Sequence, residues 1–264
     1  MRILLSLLLW FCLPSLVAAQ SIWRMPYQPN QIVLETVLPT YDTDRFEGLT
    51  GAAYLTGTWS ANDNIEAVAE LPVARAQTPG QSGTVLGSPY VGLGLVSSEM
   101  PLMLEVGARL PLGTDNALAR EAATEVTEPG RTRAFLLNER GVSALGNMSV
   151  YLSRRTSFRF RAGLVYGASE EADGSIDKNL RFRYAAQWWR IGDRFGAGFT
   201  FTGVAELNDR GSYGSNSLHH LGTSLFVRVG PAHVGVVGGL ALDSALRDIA
   251  PGFVGLTLST SYDS

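Results

Sequence analysis

The sequence predicts an all-β protein: a single antiparallel transmembrane β-barrel of about 12 strands, with short turns at one end and longer loops at the other. Three observations carry that prediction. Apolar and polar residues alternate with a period of two through segment after segment, the signature of a strand with two unlike faces. Most of these segments reach about ten residues, enough to cross a bilayer when tilted, whereas globular strands average about five to six. The links between segments alternate between tight and long, as they do in barrels with short periplasmic turns and longer outer loops.

Residues 1–19 read as an export signal, to be cleaved after Ala19. Met1 and Arg2 supply a positive start, Ile3 to Leu16 an apolar stretch, and Val17-Ala18-Ala19 small residues before Gln20. The apolar run is too short for a spanning helix, which needs about 20 residues. Cys12, the one cysteine, falls inside this segment. The mature chain therefore has no disulfide framework, and a large core or a membrane must stabilise it. Residues 20–30 are expected to form an N-terminal periplasmic segment and residues 31–264 the barrel.

Composition narrows the function classes. The 264 residues carry a formal charge of −3, with 17% charged and 45% hydrophobic residues. That balance excludes a disordered chain and gives no footprint for nucleic acid. Of 21 basic residues, Lys178 is the only lysine.

The candidate strands are residues 31–38, 49–59, 64–74, 88–97, 101–112, 142–154, 156–167, 180–191, 194–206, 217–229, 232–242 and 253–262. Phe158, Phe160, Ala162, Leu164 and Tyr166 share one parity, with Arg159, Arg161, Gly163 and Val165 on the other. Leu102, Leu104, Val106, Ala108 and Leu110 alternate with Met103, Glu105, Gly107 and Arg109 in the same way. Long links are expected at 39–48, 75–87, 113–141, 168–179, 207–216 and 243–252. A soluble exported β-sandwich also alternates apolar and polar residues. Strand length, the alternation of link lengths and the aromatics favour the barrel. Trp59, Phe158, Trp188 and Phe195 sit on the apolar parity near short turns, where an interfacial girdle belongs.

If the apolar parity meets lipid, the other parity lines the lumen. It receives Glu66 and Glu70 from one strand, Glu105 and Arg109 from another, and Arg159, Arg161, Arg181 and Arg183 from later ones. Confined charges need partners, and the planar guanidinium matches a carboxylate where lysine offers a point charge. These eight residues are the candidate selectivity set of a narrow pore. The competing reading is a charge network that fills and closes the barrel. The longest link contains Ala117 to Ala123, a good helix former, and is expected to fold over or into the mouth and gate it.

Several phrases resemble those of a known family: Leu38-Pro39-Thr40-Tyr41, Glu70-Leu71-Pro72, Ser88-Pro89-Tyr90-Val91-Gly92-Leu93 and Glu105-Val106-Gly107-Ala108-Arg109-Leu110-Pro111. The mature chain resembles small Gram-negative outer-membrane barrels, and these phrases resemble the transporters associated with phenol-degradation (meta-pathway) operons. The resemblance implies an outer-membrane pore for small, aromatic or apolar compounds. One departure is the end of the chain, Tyr262-Asp263-Ser264, where such barrels close on an aromatic residue.

Enzyme and metal readings find less support. Ser217 and His219 share a strand face, as a lipid hydrolase on the barrel wall requires, but no asparagine on the adjacent strand completes a triad. Glu170, Glu171, Asp173 and Asp177 crowd one outer loop without a calcium-loop spacing, and His219 and His220 lack a zinc spacing. No metal or other cofactor is expected. The expected partners are outer-membrane lipids, a small-molecule solute and the barrel-assembly machinery, with no nucleic acid. The sequence thus reads as a passive channel or uptake protein in the outer membrane, with a closed structural or surface-interaction barrel as the alternative and a lipid hydrolase as a minor one.

Overall fold

The computed structural model describes residues 30–40, 46, 50–97, 101–127, 129–171, 173–208, 217–247 and 251–262. The export signal, nearly all of the N-terminal segment and the last two residues lie outside the described residues.

Thirteen strands form one antiparallel sheet closed on itself. They are β1 (Gln31–Pro39), β2 (Gly51–Asn62), β3 (Ile65–Thr78), β4 (Gln81–Leu86), β5 (Tyr90–Val96), β6 (Leu102–Arg109), β7 (Arg140–Ser153), β8 (Thr156–Glu170), β9 (Ile176–Ile191), β10 (Phe195–Glu206), β11 (Ser217–Val229), β12 (Ala232–Ala241) and β13 (Gly252–Ser261). Closure comes from β1, which pairs with β2 on one side and β13 on the other. Closing the ring removes the exposed edges that an open sheet would present to lipid. Strand β3 carries both β5, from Ile65↔Leu95 to Glu70↔Tyr90, and β4, from Val73↔Leu86 to Thr78↔Gln81. Strands β4 and β5 are therefore one strand position interrupted at residues 87–89, and the ring is a twelve-strand barrel with one extra strand. Each sequence-predicted strand finds its counterpart in this ring. Gln31 and Ser261 pair at the end that carries the short turns.

Two of the expected long loops are instead continued strands. Residues 75–87 make a tight hairpin, with β3 and β4 paired up to Thr78↔Gln81 and Gly80 turning at φ +86, a conformation that favours glycine. Residues 168–179 likewise stay paired as far as Glu170↔Ile176. Polar composition marked both as loops, but a ladder persists above the membrane wherever its inner face is covered. The covering element is the long link after β6.

That link enters the barrel. Its helix α1 (Ala117–Val126) starts at Asn116, whose side chain accepts a bond from the Ala119 N–H at 3.0 Å, and stops at Thr127, which is extended and donates its hydroxyl to the Ala123 carbonyl. Ala119, Ala122 and Ala123 on α1, with Ala134 and Phe135 beyond it, pack against Val37, Tyr54, Ala74, Ala76, Val85 and Phe253 of the wall in one buried cluster. Small side chains allow the helix to lie this close to the strands. Gly87 serves the same end: a Cβ there would stand 2.6 Å from the Ala134 carbonyl oxygen. That carbonyl accepts the Ser88 N–H at 2.6 Å, so the break between β4 and β5 is where the inserted chain docks.

The outside of the ring is apolar. Leu93, Val106, Phe199, Leu225, Val236 and Leu256 are exposed, while Glu35, Thr56, Glu105, Gln187 and Thr257 are buried on the inner parity. Such a surface requires a hydrocarbon solvent. Placing a carboxylate in the helix–wall contact tests the packing. Ala122→Glu is expected to destabilise the barrel by several kcal/mol through an unpaired buried charge, read as a lower denaturant midpoint in detergent.

Candidate functional site: the charged lumen

Strand parity aims all eight predicted lumen residues inward, and the structure brings six of them together. Glu70 of β3, Glu105 and Arg109 of β6, Arg161 of β8, and Arg181 and Arg183 of β9 line one cavity in the barrel interior. Glu66 and Arg159 are buried on the same inner parity but lie outside that lining. The inserted segment adds Arg131 and Arg133, and the chain just before β7 adds Glu139. The lining thus holds six guanidinium groups and three carboxylates.

The groups are held in chains of ion pairs. Arg131, in the helical turn Pro129–Thr132, is 4% exposed and donates to Glu35 of β1 at 2.8 Å and to Glu70 at 3.3 Å. Its guanidinium also stands over the Tyr54 ring, 4.1 Å from the centroid. Glu70 in turn accepts from Arg109 at 3.2 Å, and Arg109 donates to the Ser88 carbonyl at 2.7 Å. One charged relay therefore runs from β6 through β3 and the inserted turn to β1. A second joins Arg161 to Glu105 at 2.8 Å, with the Tyr90 hydroxyl donating to the same carboxylate at 2.6 Å and bonded to Ser143. A third is local: Arg133 grips Glu139 through two bonds, at 2.7 and 2.8 Å, close under the β8–β9 hairpin. Arg181 pairs with Glu206 of β10.

The space left is narrow. The cavity within this lining has a volume of about 60 Å³, room for a few waters. Toward the short-turn end the lumen changes character, because Trp189, Phe226 and Val33 form a buried apolar cluster there. The remaining inner wall is hydroxyl-rich. Oγ of Thr56, Thr257 and Ser259, the amide of Asn147 and the indole N–H of Trp189 are buried and have no hydrogen-bond partner among the described residues. Buried polar atoms of this kind call for water or a solute to bond with.

Sequence reasoning missed several members of the site. Glu35 carried a readable signal, a carboxylate at mid-strand on the parity opposite Ile32 and Leu34. Arg131, Arg133 and Glu139 carried none, since only the tertiary path of the inserted segment turns them into the lumen. The predicted girdle residues face outward, with Trp59 and Phe195 exposed and Trp188 stacked on Phe199 with centroids 5.7 Å apart. A second aromatic group, Phe182, Tyr184 and Phe201, lies on the outer face around His219. Here the partner of His219 is an aspartate just past the end of β12, Asp243, bonded to Nδ1 at 3.0 Å, while Nε2 meets the Tyr184 hydroxyl at 2.6 Å. Burial pushes the Asp243 carboxyl up, but the bonds from the His219 ring and backbone N–H outweigh it and hold the group below its usual range. Both ring nitrogens are thus engaged by groups other than Ser217.

The geometry defines a closed antiparallel barrel of twelve strand positions, and known porin structures share its fold. The KdgM porin superposes with a TM-score of 0.54 at 9% identity, covering 88% of this chain and 99% of that one. The NanC porin gives 0.53 at 8%, covering 89% and 99%. The KdgM porin in complex with disordered oligogalacturonate gives 0.52 at 8%, covering 88% and 99%. No family model matches the chain, and no curated protein matches it. The likenesses are in fold, to porins, and do not bear on the phenol-degradation transporters.

Removing the cation that joins the inserted turn to the wall isolates its role. Arg131→Ala leaves the buried carboxylates of Glu35 and Glu70 short of their partner, at a cost of about 3–5 kcal/mol. The expected readout is faster proteolysis within residues 113–139 while the strands stay protected.

Proposed function

We propose that the chain is an outer-membrane channel of Gram-negative type for passive diffusion of small solutes, with a preference for anions. The observation that carries this reading is the cavity lining, in which six guanidinium groups face three carboxylates. Two of the carboxylates that balance them, Glu35 and Glu206, pair with Arg131 and Arg181 from outside the lining. The lining therefore offers an anion more guanidinium groups than carboxylates. Fixed charges at a constriction sort solutes by sign, and bidentate N–H donors favour carboxylates in particular. The fold shared with porins supports a channel, and the hydroxyl-rich wall supports a hydrated path. Selectivity is assigned to Arg109, Arg161, Arg181 and Arg183 with Glu70 and Glu105, and Glu66 and Arg159 belong to the same inner face. The inserted segment is the gate, because it packs inside the lumen against β1 to β4 and is held by side-chain packing and ion pairs rather than by strand pairing.

A second reading is favoured by the small free volume: a closed barrel whose outer loops do the work. Reconstitution in planar bilayers separates the two. Under a KCl gradient the reversal potential is expected to show chloride preferred over potassium, and Arg181→Gln with Arg183→Gln is expected to reduce that preference. Correctly folded protein that passes no current supports the closed barrel, and a potassium preference overturns the anion assignment.

A further inference from the structure

Outside the lumen, the short-turn end of the wall carries an unexplained asymmetry of charge. Arg154 and Arg155 in the β7–β8 turn, Arg190 near the end of β9, Arg194 before β10 and Arg228 near the end of β11 are all exposed. Across the same stretch the one carboxylate is Asp193, which pairs with Arg155 at 3.1 Å. Arg190 has no side-chain partner among the described residues. Two members of this arc, Arg155 and Arg190, border a groove of about 720 Å³ on the lipid-facing side, lined also by Trp188, Phe195, Leu225 and Val236.

The groove follows from the register. Ala197 on β10 lies directly between Arg190 of β9 and Leu225 of β11, so a methyl group occupies a row whose neighbours are long. Phe195 and Phe199 stand on either side of it along the strand, both exposed. Trp188 stacks on Phe199 with its ring at the level where interfacial tryptophans lie. An apolar trough with aromatic flanks and guanidinium groups at its polar end matches one kind of molecule.

We propose that this groove is a specific site for an anionic phospholipid of the leaflet at the short-turn end. Its phosphate is held by Arg190 and Arg155, and an acyl chain lies over Ala197 between Phe195 and Leu225. Charge complementarity selects the occupant: an arc of five arginines against one aspartate favours a net-negative headgroup over a zwitterionic one. The inference stands apart from the channel reading, since it concerns the opposite face of the wall.

Native mass spectrometry of the folded full chain in detergent tests it, with phosphatidylglycerol and phosphatidylcholine of identical acyl chains as probes. Wild-type protein is expected to retain phosphatidylglycerol preferentially. Arg155→Gln with Arg190→Gln is expected to weaken that retention by about fivefold for each arginine. Ala197→Trp, which fills the trough and leaves every charge in place, is expected to displace both lipids. Equal retention of the two lipids by wild type, an unchanged preference in the double variant, or undiminished retention in Ala197→Trp overturns the site. Displacement of the lipid by inorganic phosphate alone also overturns it, because a simple anion site would then account for the binding.

Discussion

The guanidinium of Arg131, held between the carboxylates of Glu35 and Glu70, is the contact on which the interior depends. It ties an inserted chain segment to two strands of the wall, and all three charged groups are almost wholly buried. Burying such groups is costly, and their attraction repays the cost only when the geometry satisfies nearly every N–H and oxygen. Arginine can do this because its planar fork reaches two carboxylates at once while its face rests on Tyr54. That demand accounts for arginine rather than lysine at the buried lumen positions Arg131, Arg133, Arg159 and Arg161. Each ion pair between wall residues also joins two strands: Arg109 of β6 to Glu70 of β3, Arg161 of β8 to Glu105 of β6, and Arg181 of β9 to Glu206 of β10.

The inserted segment shapes the barrel as well as filling it. By covering Ala74, Ala76 and Val85 it lets β3 and β4 remain paired beyond the membrane, and by seating Arg133 and Glu139 beneath β8 and β9 it supports the second extended hairpin. In return the wall makes room for it at Gly87, where β4 gives way to β5. On the side of β1 to β4 the outer part of the lumen is thus a packed layer of helix and wall. Beside that layer lies the charged cavity, whose lining includes Gly130, Arg131 and Arg133 of the same segment, and toward the short-turn end comes the apolar cluster around Trp189.

The barrel was legible in the sequence because lipid on one side and a polar lumen on the other impose a strict period of two. A one-residue slip would have put Glu105 or Arg161 into hydrocarbon, so the alternation is unusually clean. Most of the lumen set followed from the same parity, and Glu35 was available by the same rule. The β3–β4 and β8–β9 extensions were not legible, because their pairing in water depends on a helix contributed from elsewhere in the chain. Arg131 and Arg133 were hidden for the same reason: a residue in a link has no parity to betray its direction. The Tyr184, His219 and Asp243 group was missed because it joins β9, β11 and the link after β12, and only the register brings the three into reach.

The central claim is that residues between Asp115 and Glu139 occupy the lumen and limit passage through it. Replacing residues 116–138 by a short flexible linker and recording single channels in planar bilayers tests that claim directly. The account predicts a folded barrel with a larger unitary conductance than wild type. An unchanged conductance in a correctly folded deletion variant would contradict it.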